Sequence, residues 1–244
     1  MCEINPEINV RPKQVMRVLG AMTGVLVLAH TGVKIMGLRG HQQLYGLSTL
    51  FDLGKEGNLP TYFSALLLLL AGVLLAVIAR YKKMTRDIYR VHWAGLSIGV
   101  LLISVDEASH IHELLNRPAR EILGGSASDA LGYPWLLFGI PLVFVVTVSY
   151  WKFVWHFPRR YRPFLLLAAT LYVGGAVGFE FISGRYWGTG LYLVFDALEE
   201  VLEICGILVF VYVLLKYMED NLAELKICIG DAGQKMRSSM GGAA

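Results

Sequence analysis

Six apolar stretches of about the length that crosses hydrocarbon, roughly 20 residues each, dominate the chain. They run over Val15–Leu38, Pro60–Ala79, Val91–Leu115, Tyr133–Phe157, Pro163–Ser183 and Gly190–Tyr217. Hydrocarbon offers no partner to a backbone N–H or C=O, so segments like these must close their hydrogen bonds internally. The expected fold is therefore all-α, an integral membrane bundle of six transmembrane helices. Composition agrees: 55% of residues are hydrophobic and 17% charged, against about 25% charged in soluble domains. Residues 1–14 read as a polar N-terminal tail, 15–217 as the transmembrane domain, and 218–244 as a C-terminal tail. No signal-peptide cleavage pattern precedes the first apolar run, so it is expected to stay as a helix.

Charge sets the expected orientation. Lys and Arg concentrate at Arg80, Lys82, Lys83, Arg86 and Arg90, at Arg159, Arg160 and Arg162, and in the C-terminal tail. The loops at 39–59, 116–133 and 184–189 carry few. Basic loops face the cytoplasm, which places both termini there. Tyr133, Trp135, Tyr150, Trp151, Trp155, Tyr186 and Trp187 fall near span ends, as an interfacial belt should.

Within this frame the ionisable residues are the anomaly, because each is costly at hydrocarbon depth unless it faces a cavity, a partner or an ion. Ser104–Glu113 carries Asp106, Glu107, His110, His112 and Glu113; the last span opens with Asp196, Glu199, Glu200 and Glu203. His30 is late in the first span, one turn from Lys34 and on its face, and Glu180 is late in the fifth. All fall in the outer half of the bundle, which points to one site. Taken as a continuous helix, the third span puts Asp106, His110 and Glu113 on one face, with Glu107 about 60° from His110 and His112 turned away. The acidic residues of the last span occupy one stripe about 100° wide. Gly174 and Gly178 form a small-xxx-small pair that would let a helix approach beside Glu180.

Glu107-x-x-His110 is a spacing by which one helix offers a carboxylate and an imidazole to a metal, as in dimetal carboxylate bundles. The match is partial: Glu200-x-x-Glu203 stands where a second such motif would carry a histidine. The expected ligands are Glu107, His110, Glu180, Glu200 and Glu203, with Asp106, Glu113, Glu199 and His30 as additional ligands or supports. An oxygen-rich set with one or two imidazoles suits a divalent iron, manganese or zinc ion. Such a metal could act on a lipid or lipid-soluble substrate, and the sequence does not separate catalysis from other uses. Two alternatives stand beside it: a proton or cation transporter subunit, and an accessory subunit of a larger membrane complex. The bland reading is a buried salt-bridge network, but the outer carboxylates outnumber Lys34, Arg117, Arg120 and Arg185.

Other classes drop out. No Gly-rich phosphate loop is present, nor a Gly-x-Ser-x-Gly elbow. Cys2, Cys205 and Cys228 show no metal-type pairing. The basic loops border spans and suit lipid headgroups, so the expected partners are membrane lipids and other membrane proteins or a second copy, not nucleic acid.

Two stretches carry a resemblance. Phe51-Asp52-x-x-x-Glu56-x-Asn58-x-Pro60-Thr61-x-Phe63-Ser64, and Ser104-x-Asp106-Glu107 with His112-Glu113, resemble a widespread group of bacterial multipass membrane proteins. Glu199-Glu200-x-x-Glu203 is similar to the same group, over most of residues 45–220. The resemblance implies a bacterial inner membrane location and no particular activity.

Overall fold

A computed structural model describes residues 11–40, 44–124 and 131–222. Most of both expected tails lies outside these residues. The described chain is built of helices, turns and loops: α1 (Pro12–Leu38), α2 (Leu47–Leu50), α3 (Leu59–Met84), α4 (Arg90–Ser109), α5 (Asn116–Leu123), α6 (Leu136–His156), α7 (Arg162–Val173), α8 (Glu180–Ser183) and α9 (Gly190–Asn221). A π-helical segment, Gly174–Phe179, joins α7 to α8 without a break. Among the described residues, five helices are long and apolar enough to cross a membrane: α1, α3, α4, α6 and the composite helix Arg162–Tyr186.

Local chemistry fixes the ends. Asn58 caps α3, its Oδ1 accepting the Thr61 N–H at 3.2 Å, and Pro60 occupies the first turn, where its missing N–H costs nothing. The Leu-rich run then continues to Met84. α3 and α4 pack most closely, and serine hydroxyls set their register: Ser97 Oγ donates to Gly72 O at 2.9 Å and Ser104 Oγ to Ala65 O at 2.8 Å. Such interhelical bonds hold helices together where lipid supplies no hydrophobic drive. α9 lies against α1, α3, α7 and the π segment, and the core gathers on α3 and α9, where Ala71, Leu75, Ile78, Ile204 and Val211 are fully buried. α6 instead exposes Leu142, Phe144, Val148 and Trp151, the face expected toward acyl chains.

Three expectations change. The third span stops at Ser109 rather than reaching Leu115, because His110 takes a left-handed conformation (φ 51°, ψ 41°) that ends the helix. Residues 116–123, expected as loop from their Pro and neighbouring Gly content, form α5. The close approach of helices uses other glycines than Gly174 and Gly178, which face open space. A Cβ on Gly175 would lie 2.7 Å from Glu203 Cγ, and one on Gly206 would lie 2.7 Å from the Tyr172 N. The wide π turn shifts the phase of the helix, so the contact glycine is one position away from where α-helical spacing puts it.

Candidate functional site

The loop before α3 anchors one side of the site. His30 and Lys34 do share a face of α1, and both turn to this loop. Lys34 Nζ stands 2.8 and 2.9 Å from the two Asp52 oxygens, and the Leu53 N–H donates to His30 Nδ1 at 2.9 Å. His30 Nδ1 is also 3.5 Å from Asp52, so the imidazole borders the carboxylate as well as taking the Leu53 N–H. Asn58 Nδ2 donates to Asp52 O at 2.6 Å. Burial alone would push the Asp52 carboxyl up; His30 and Lys34 outweigh it and hold the group down at about 2. His30 is thus committed to a loop anchor. The same loop lies on the start of α9: the Asp196 carboxyl rests in the space a Cβ on Gly54 would occupy and would have to move aside for a larger residue.

The end of α4 forms a second anchor. Asp106 grips the turn that follows, its Oδ1 accepting the His112 N–H and its Oδ2 facing His112 Nδ1, both at 2.8 Å. Burial disfavours a protonated His112, but the Asp106 carboxylate more than offsets that and raises its pKa above 6.5. The imidazole also packs against Trp135, ring centroids 4.9 Å apart. His110, carried out of helical phase, stands 3.6 Å from Glu56 instead of beside Glu107. Burial raises the Glu56 carboxyl, His110 works against the rise, and Glu113 adds to it. The expected Glu107/His110 pair and the Asp106/His110/Glu113 face are therefore not assembled, for they required a helix through residue 113.

The acidic side chains of α9 meet different neighbours in succession. Asp196 rests on Gly54, Glu199 Oε2 accepts Ser183 Oγ at 3.3 Å, and Glu203 lies over Gly175. Glu200 is within electrostatic reach of Glu107, Asp196, Glu56 and Glu180. Tyr172 is similarly placed near Glu203, Glu107, Asp106 and Glu200. Glu180, 7% exposed, accepts Trp135 Nε1–H at 2.7 Å. From Asp196 to Glu203 the helix rises about 10 Å, so these groups form a ladder rather than a ring about one point.

Among the described residues, no three His, Cys, Asp or Glu side chains sit close enough together to hold a metal ion. The donors suit a hard divalent cation by chemistry, but their placement does not make the expected set a preformed metal centre. Nor does any Lys, Arg or His among the described residues lie within 4 Å of Glu107, Glu180, Asp196, Glu199, Glu200 or Glu203.

Sequence reasoning misses the roles of Trp135, Tyr172, His112, Gly54 and Gly175. Trp135 reads as an interfacial aromatic, and Asp106 to His112 is no helical spacing, so neither carries a signal of what it does.

A family described as a domain of unknown function, DUF8692, matches residues 18–217. No curated protein and no solved structure matches the chain.

Proposed function

We propose that this chain, which belongs to the DUF8692 family, is a six-span bacterial inner-membrane protein that passes protons along the carboxyl groups of α9. One observation carries the reading: six carboxyl groups border α9 with no Lys, Arg or His within 4 Å among the described residues, and they are spread in depth. Intramembrane carboxylates without cations are too costly to remain all charged. The set then holds protons, and neighbouring groups in a ladder can exchange them. In this reading α9 is the sixth span, its 32 residues extending about 48 Å. The basic ends of α3 and α6 lie on the cytoplasmic side, and the acidic site opens outward. Glu203 is the inner group, Glu107 and Glu200 form a mutually repelling pair above it, and Glu180 and Glu199 lie beside Ser183.

The test is reconstitution in vesicles with an internal pH dye and an imposed proton gradient. Wild type should acidify the vesicles faster than empty liposomes, and Glu203→Gln and Glu107→Gln should abolish the difference. No flux above empty liposomes would refute the reading. Elemental analysis of the same preparation weighs the metal alternative. Stoichiometric iron, manganese or zinc, lost in Glu107→Gln, would replace the proton pathway by a metal site formed when the carboxylates draw together.

A further inference from the structure

At the end of the bundle opposite the acidic ladder, α3, α4, α6 and α9 enclose a partly open cavity of about 190 Å³. Its apolar walls include Trp93, Phe153, Phe157 and Tyr217, all buried and packed at centroid distances of 5.1 to 5.6 Å. An apolar cavity of about 150 Å³ already admits benzene, so a substituted six-membered ring fits here. Aromatic edges and faces supply the offset and T-shaped contacts that such a ring prefers.

The polar wall narrows the chemistry. Lys82 Nζ is 2.8 Å from Asp87 Oδ2, and Asp87 Oδ1 accepts the Tyr89 N–H at 2.8 Å. The pair is internally neutral, and His156 and Tyr217 are the other titratable groups on the wall, so a charged occupant would face little net compensation between the aromatic residues, at a cost. Lys82 has three N–H groups, and the Asp87 bond uses one. At the mouth, Asn221 gives one amide N–H to Tyr217 O at 2.8 Å and keeps another. Both therefore have donors to offer an uncharged acceptor such as a ring carbonyl. The basic residues flanking these helix ends place the opening near headgroup level, where a molecule can enter from the bilayer.

We infer that this cavity binds the ring of a neutral, lipid-soluble molecule with carbonyl acceptors, the chemistry of a quinone headgroup. Lys82 and Asn221 hold its oxygens while the aromatic residues hold its faces. The site is separate from the acidic ladder and does not depend on proton conduction.

The test titrates full-length protein in maltoside micelles with 2-methyl-1,4-naphthoquinone, reading the thermal unfolding midpoint at two detergent concentrations to remove partitioning. Wild type should show a saturable rise. Asn221→Trp, which plugs the exposed mouth, should weaken binding at least about tenfold, as should Lys82→Met/Asp87→Asn, which removes a donor without stranding a charge. If the double variant fails to fold, the Asn221→Trp result decides. No saturable rise in wild type, or an unchanged affinity in Asn221→Trp, would overturn the inference. So would stabilisation by added phosphatidylglycerol with none by the naphthoquinone.

Discussion

Replacing Asp52 by Asn tests the anchor that ties α1 to the loop over the acidic ladder. In the folded protein the carboxyl is held at about 2, against 3.8 for a free side chain. A tenfold change in a group's acidity on folding corresponds to about 1.36 kcal/mol, so the charge contributes about 2.5 kcal/mol at most. Lys34 retains 30% of its side-chain exposure, and solvent screening lowers the real value. Because the folded pKa is the lower one, this stability is present above pH 4 and is lost as pH falls toward 2. Asp52→Asn should therefore be less stable than wild type at pH 7 by up to that amount, with the gap closing between pH 4 and pH 2. Unfolding in maltoside micelles, followed by tryptophan fluorescence at stepped pH, measures both. An Asn variant as stable as wild type at pH 7 would show that the pair stabilises nothing. A gap that persists at pH 2 would assign the loss to packing rather than charge.

Two further outcomes follow from contacts already described. Gly206→Ala puts a methyl group 2.7 Å from the Tyr172 N and 2.9 Å from the Ala168 O; these are backbone atoms, so the helices must part. Thermal unfolding should show a loss of about 1–3 kcal/mol, and an unaffected variant would mean the α7–α9 contact is loose. His112 has a raised pKa, so its ion pair stabilises the fold below pH 6.5 and fades as pH rises through the higher folded value. The advantage of wild type over His112→Gln should shrink on that rise, and one that does not change with pH would discard the ion pair.

The bundle is legible in the sequence because lipid imposes a length and a composition on any helix that crosses it. The convergence of Asp196, Glu199, Glu200 and Glu203 on one face also follows from helical phase alone. What fails is the continuation of that phase through breaks. His110 is neither Gly nor Pro, and its left-handed turn is stabilised by Asp106 contacts that only the fold creates. His112, which helical phase turns away, is therefore drawn to Asp106 and Trp135, and His110 to Glu56. The π segment hides the contact glycine in the same manner. Sequence alone gathers the ladder into a single metal site because depth along a helix is coarse at that level; about 10 Å of rise still counts as one layer.

The π segment has a further consequence, for the length of the chain. It adds one residue to an otherwise α-helical path, so residues beyond it are turned relative to those before it. Deleting one residue from Gly174–Phe179 would let the helix relax to ordinary pitch with Glu180 kept near its present phase, because the π turn has absorbed that extra residue. This short stretch is therefore where the helix takes up one residue of length, and a single deletion within it separates what the π turn itself contributes from what the phase of the helix contributes.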